Sequence, residues 1–274
     1  MESRPIAYQI YSAREEAAKD LPSVLEAIAQ LGYDGVEFAG FYGYSAEDIV
    51  KMLQTYHLEA LSSHVPMALM EKDMFQVLSF HQTIGCSYIA IPSLNEECRP
   101  GGSKFAKSIR TIERFGRLSR EAGIGLLYHN HDFEFVSISG QYGLDFLYDA
   151  IDSRILQTEI DVCWVKYAGV DPAAYIRQYA GRCPVVHLKD YTGEKSEAPV
   201  YELLGQASQT NPSEKKFQFK PFGHGCQDAE SIIKASVESG AEWFVVEQDI
   251  AAPYTPLEAA RMSMETLRKI GVKK

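Results

Sequence analysis

The sequence predicts a single α/β domain, a (β/α)8 barrel with one long loop after the seventh strand. Three observations carry this prediction. Short apolar runs alternate with segments of helical period along the whole chain. There are eight such pairs in 274 residues, roughly 34 residues each, and no linker-like stretch divides them. Strands that alternate regularly with helices imply a parallel sheet, and eight of them close on themselves. The length exceeds that of an average domain but lies within the range that barrels fill as one unit, so residues 1–274 are taken as one barrel domain.

Each unit has its own local signals. Residues 6–11 form an apolar first strand, and Asp20-Leu21-Pro22 opens a helix, with Asp20 placed to cap free amides and Pro22 in the tolerant first turn. Leu21, Val24, Leu25, Ile28 and Leu31 recur at helical spacing, and Gly32 ends the helix. Residues 34–39 give the second strand, and Ser45 caps a helix whose inner face holds Ile49, Met52 and Leu53. Strand 58–64, helix 70–84, strand 87–92 and the long helix 103–122 follow, the two helices stopped by Gly85 and Gly123. Residues 124–131 are the fifth strand, 143–151 a short helix, and 155–161 the sixth strand. Asp171-Pro172 opens the next helix, 183–190 is the seventh strand, and 227–239 is a helix. Strand 242–249 and helix 256–270 close the chain. Residues 191–222 break the rhythm. A loop of that length is usually functional, and its place after the seventh strand predicts a lid at the C-terminal rim.

Composition narrows the partners. A net charge of −10 with no run of Lys and Arg argues against nucleic acid and anionic membranes, since both require a basic face. The first residues lack the apolar core of a signal peptide and no stretch reaches membrane-spanning length, which makes a cytoplasmic location the default expectation. Five cysteines without a C-x-x-C spacing predict reduced, mostly buried thiols rather than a disulfide framework or a thiolate zinc site.

The chemistry is concentrated at strand ends. Leu126-Leu127-Tyr128-His129-Asn130-His131, Thr158-Glu159-Ile160-Asp161, Pro184-Val185-Val186-His187-Leu188-Lys189-Asp190 and Trp243-Phe244-Val245-Val246-Glu247-Gln248-Asp249 are apolar runs that turn ionisable at their last residues. An unpaired carboxylate at the end of such a run is costly, and a bound cation removes the cost. Residues two apart on a strand face one side, so His129 with His131, Glu159 with Asp161, and His187 with Lys189 can serve one cavity. The pattern predicts a metal site.

These motifs, together with Ala7-Tyr8-Gln9-Ile10-Tyr11-Ser12 and Leu31-Gly32-Tyr33-Asp34-Gly35-Val36-Glu37-Phe38-Ala39-Gly40, resemble the sugar phosphate isomerase/epimerase family of xylose isomerase-like TIM barrels. The resemblance spans almost the whole chain. It implies one divalent metal ion held by residues of strands five to eight, with Asp161, His187 and Glu247 in three of the positions. At the fifth strand many members read Glu-Asn-His. This chain reads His129-Asn130-His131, so His129 takes the carboxylate's place, and Glu134 is a second candidate for reaching back. Two imidazoles and two carboxylates favour Mn, Zn or Co over Mg. The implied reaction is isomerisation or epimerisation of a ketose or keto-sugar through an enediolate. Glu247, His131 or Glu159 would move the proton, and Lys189 would stabilise the oxyanion. Elimination from a keto-inositol or 3-keto-glycoside is the alternative at the same site. A non-catalytic accessory or binding subunit is a reading of a different class. Glu37 and His64 are candidates for sugar hydroxyls, Trp164 for stacking on a sugar face, and His224 of Gly223-His224-Gly225 for a tight turn beside the substrate. No basic cluster demands a phosphorylated substrate, and homo-oligomerisation is compatible with the resemblance.

Overall fold

The computed structural model describes residues 3–195 and 217–273. Eight strands, β1 (Ile6–Gln9), β2 (Gly35–Phe38), β3 (Glu59–His64), β4 (Tyr88–Ile91), β5 (Gly125–His129), β6 (Gln157–Asp161), β7 (Val185–Leu188) and β8 (Trp243–Val246), form a closed barrel. Every neighbouring pair is parallel, and β1 pairs with both β2 and β8. Helices α1 (Arg14–Leu31), α2 (Ala46–Tyr56), α3 (Met67–Thr83), α4 (Phe105–Glu121), α5 (Gly143–Asp149), α6 (Val162–Tyr167), α7 (Pro172–Gln178), α8 (Ala229–Glu238) and α9 (Pro256–Ile270) surround it. The chain is a single-domain TIM barrel. Among the described residues no helix is long and apolar enough to cross a membrane.

Alternation along each strand builds the barrel interior in layers. Ala7, Leu61, Ala90, Leu127, Val185 and Val245 form a separate buried apolar cluster, with Tyr88 and Trp243 packed below it. Gly35 lies at the level of Trp243, where a Cβ would stand 2.7 Å from the Glu59 carbonyl oxygen and 3.2 Å from the indole. Two residues further along the strands the lining becomes Gln9, Glu37, His129, His187 and Glu247. An apolar plug thus carries a polar layer at the C-terminal end of the barrel.

The helix signals act as expected, with local differences. Asp20 interrupts α1 at φ −157° and ψ 81°, and its carboxylate accepts from Ser23 N at 3.1 Å, so a second helical segment begins there. Asp73 does the same in α3 for Gln76 N at 3.0 Å. Ser45 and Asp171 cap α2 and α7. The fifth strand stops at His129, two residues before the expected end. Asn130 leaves the ladder because its side chain accepts from Asp161 N (3.0 Å) and donates to Asp161 O (3.3 Å), standing in for a neighbouring strand. The ends of the long stretch after β7 are ordered. Asp190–Thr192 pairs antiparallel with Gln218–Lys220. The centre of the expected lid, residues 196–216, lies outside the described residues.

Candidate metal centre and active site

The strand register brings the ionisable residues together. His129 lies beside Glu159, Asp161 beside His187, and Gln9 beside Glu37. One ligand atom from each of His129, Asp161, His187 and Glu247 lies within 4.8 Å of the other three. All four side chains are at most 5% exposed. Charged groups are rarely buried to this degree unless they are paired or hold an ion.

The two imidazoles are aimed by carboxylates beneath them. Glu37 accepts from Gln9 Nε2 at 2.5 Å and from Ser62 Oγ, and lies 2.7 Å from His187 Nε2. His187 Nδ1 then faces Glu247 at 3.2 Å. His129 presents Nδ1 to Glu159 at 3.4 Å and Nε2 to Asp161 at 3.7 Å. His64 Nε2 bridges Glu159 (2.9 Å) and Glu37 (3.1 Å). Each shared imidazole therefore has one nitrogen toward an inner carboxylate and the other toward Asp161 or Glu247. Outer carboxylates of this kind fix the tautomer and ring orientation of metal-binding histidines.

The electrostatics follow from this arrangement. Burial works against ionisation of Glu37, but His64 and His187 outweigh it and hold the carboxyl well below the usual range. Burial is likewise overcome at Glu247 by Lys189 and His187. His64 is pushed up to about 10, because Glu37 and Glu159 overcome the burial that opposes its charge. His187 is raised for the same reason. His129 is held well below the imidazole range by burial and by the neighbouring His187 and His64, and burial takes His131 down to about 3. Asp161 is pushed up to about 7, chiefly by burial.

These residues fit a divalent ion. Asp161 Oδ1 caps α6 by accepting from Cys163 N (2.8 Å) and Trp164 N (3.1 Å). Its buried Oδ2 has no hydrogen-bond partner among the described residues. Glu247 and the two neutral-capable imidazoles supply the remaining donors, a mixed N/O set suited to a divalent transition metal.

Above the cluster opens a cavity of about 850 Å³, lined by His64, His129, His131, Lys189, Glu247 and Asp249 on the barrel side. Lys189 Nζ lies 2.6 Å from Asp249, 3.0 Å from Glu247 and 3.7 Å from Asp161. His131 stacks between Phe133 (5.1 Å, 5°) and Trp164 (5.3 Å, 29°), and Arg99 covers the far face of Phe133 at 3.5 Å.

The family model for xylose isomerase-like TIM barrels matches residues 25–270. The chain belongs to that family. Among solved structures, a sugar phosphate isomerase/epimerase from Parabacteroides distasonis superposes with a TM-score of 0.76 at 22% identity, covering 100% of this chain and 96% of that one. A probable 3-DHS dehydratase from Bacillus anthracis gives 0.72 at 12% identity (98% and 99%). An AP endonuclease, family 2, from Brucella melitensis gives 0.66 at 13% (93% and 96%). At these identities the likeness is one of fold. No curated protein sequence matches the chain.

Within this xylose isomerase-like barrel, several residues singled out from the sequence take other places. Glu134 does not reach back to the cluster. Its oxygens accept from Tyr128 Oη and His131 N, both at 2.7 Å, closing a capping box on the turn after β5. Trp164 is fully buried, stacks on His131 and does not line the cavity. His224 is exposed and away from the cavity. The Gly223-His224-Gly225 turn encloses Asp190, whose carboxylate accepts from the amides of Gly223, Gly225, Cys226 and Gln227. Glu159 and Glu37 lie under the imidazoles and do not line the cavity. Asp249, Arg99, Gln9 and Ser62 join the site without having been singled out. Asp249 had a legible signal, since it follows Glu247 by two residues.

Proposed function

We propose that this barrel is a divalent-metal-dependent isomerase or epimerase of a ketose or keto-sugar. The convergence of His129, Asp161, His187 and Glu247 at the floor of a cavity large enough for a small organic substrate carries the reading. A divalent ion held there would polarise a carbonyl and the hydroxyl beside it, making the intervening C–H acidic. Mn, Zn or Co suits the donors better than Mg.

The chain's own groups divide the remaining work. Glu247, just beyond β8, and His131, just beyond β5, stand three strands apart around the barrel. Against the opposing effect of burial, Lys189 and His187 hold Glu247 well below the usual carboxylate range, and burial takes His131 down to about 3. Either base takes the α-proton and, protonated by that step, returns it to the neighbouring carbon. For return to the opposite face the Lys189 ammonium, 3.0 Å from Glu247, gives the proton and is recharged by the protonated base. Lys189 places positive charge beside the oxygen that gains negative charge. His64 hydrogen-bonds a sugar hydroxyl at the cavity wall. Glu37 and Glu159 keep His187 and His129 in the correct tautomers.

Elimination is the second reading, favoured by Lys189. Its contacts with Asp249 and Glu247 place a proton donor beside the site, ready for a leaving group β to the new carbanion. The charge of −10 supports a small-molecule substrate over nucleic acid.

The test is elemental analysis of protein purified without chelator, together with solvent deuterium exchange into keto-sugars. The wild type retains about one equivalent of divalent metal and His187→Ala loses it. A deuterated product of unchanged composition supports isomerisation, and loss of water or of an alcohol supports elimination. No metal in the wild type, and none taken up on addition, would overturn both and leave a binding subunit.

A further inference from the structure

The cavity does not end where the polar floor ends. From His129 and Glu247 it continues over the C-terminal ends of β2, β3 and β4 to the start of α3. The wall of this second half mixes an apolar side with the polar Lys72, Asp73, Gln76 and His81. Phe41, Val65, Leu69, Val77 and Phe80 form the apolar side, with Phe41 and Phe80 packed at 4.3 Å between ring centroids. Apart from Val65, these are not residues hidden in the core. Leu69 is 52% exposed, and Phe41, Val77 and Phe80 are only partly buried. The segment of α3 before the break at Asp73 contributes Leu69 and Lys72 to this arm.

A lone sugar ring satisfies only half of such a space. Its hydroxyls match the carboxylates and imidazoles of the floor, but one ring does not fill both that floor and the space before Phe41 and Phe80. A volume of about 850 Å³ lies toward the upper end of sites that enclose drug-sized ligands, well beyond the needs of one pyranose. Apolar side chains facing a cavity gain free energy only when an apolar group displaces the water in front of them. The two halves are continuous, so one molecule can fill both.

We propose that the substrate is a two-part molecule, a sugar joined to an aromatic group, bound with the sugar over His129 and Glu247 and the ring against Phe41 and Phe80. This rests on the proposed sugar chemistry for its polar half and adds the aglycone. The Phe41–Phe80 pair, its ring planes tilted by 37°, selects an aryl group in particular, because rings pack against rings in offset or tilted contact.

The test measures affinities of the full chain by calorimetry for the 3-keto forms of methyl, 4-nitrophenyl and octyl β-glucoside and for free 4-nitrophenol. In the wild type the aryl glucoside binds about tenfold or more tightly than the methyl glucoside, the ratio that burial of one ring supplies. Leu69→Asp shrinks that ratio and Lys72→Leu enlarges it. Both positions are exposed, so folding is not at stake. Equal affinities for aryl and methyl glucosides, or a ratio indifferent to both substitutions, overturn the proposal. A preference for the octyl over the aryl compound also overturns it, replacing the ring with a flexible chain. If 4-nitrophenol alone binds as tightly as its glucoside, the arm stands while the sugar-binding floor fails. Metal content, measured separately, then decides the fate of the catalytic reading.

Discussion

Glu37 shows how one residue can decide the behaviour of another, here a candidate metal ligand. It is fully buried, accepts from Gln9 and Ser62, and faces His187 Nε2 at 2.7 Å, which leaves Nδ1 for the cluster. Glu37→Gln keeps the shape but can offer an amide to Nε2, which favours the wrong tautomer. Metal affinity, measured by competition with a chromophoric chelator, falls about 10- to 100-fold, with the fold unchanged by circular dichroism. The sequence marks Glu37 as a candidate because a carboxylate sits on a buried strand. Its role depends on register with Gln9 and on the approach of His187, neither of which is written in neighbouring positions. Glu134 gives a second prediction at this scale. Burial pushes its carboxyl up to about 7, so folding favours the protonated form. A raised acid contributes stability below its unfolded value of about 4.3, and that contribution is lost as pH rises through about 7. Against Glu134→Gln, which has no charge to lose, the wild type therefore gains stability as pH falls from 9 to 5. The swing is of the order of 3 kcal/mol by urea denaturation at each pH.

At the scale of elements, the return of the chain after β7 depends on one carboxylate. Asp190 accepts from the amides of Tyr191, Gly223, Gly225, Cys226 and Gln227, so it ties the pair Asp190–Thr192 and Gln218–Lys220 to the start of α8. Gly225 is required there, since a Cβ would overlap the carboxylate. Asp190→Ala strands several partly buried amides at once. We expect a loss of roughly 3 kcal/mol in urea at unchanged m-value. The turn was legible in the sequence as a glycine pair, but its ligand was not, because Asp190 is more than thirty residues away along the chain. Helix starts were legible where a side chain caps its own segment, as at Ser45 and Asp171. Helix α6 was not, because its cap, Asp161, first presents itself as the end of a strand.

For the whole molecule, eight apolar runs and eight helical stretches were enough to indicate a barrel, because period-2 and period-3.6 patterns are local. The charged strand ends indicated where the cluster would form for the same reason. The inward order of layers was not readable, since it depends on the shear of the closed sheet. The consequence of that order concerns stability. An apolar plug of Ala7, Leu61, Ala90, Leu127, Val185 and Val245 supports a layer of buried carboxylates and imidazoles at the ends of β2, β3, β5, β6, β7 and β8. Lys189 supplies positive charge within that layer, and Glu37 and Glu159 overcome burial to raise His64 to about 10. A divalent ion that binds only the closed barrel, where these strands meet, must stabilise the fold by mass action. At one hundred times its dissociation constant the gain is about 2.7 kcal/mol. For a chain of this size that raises the melting temperature by roughly 5 °C or somewhat more. The shift is read by differential scanning fluorimetry of chelator-treated protein with and without Mn, Zn or Co. It vanishes in His187→Ala, which loses a donor from the centre of the cluster, and it persists in Leu69→Asp, which lies on the rim. An equal shift in both variants would place the ion elsewhere on the surface and remove the cluster from the account of function.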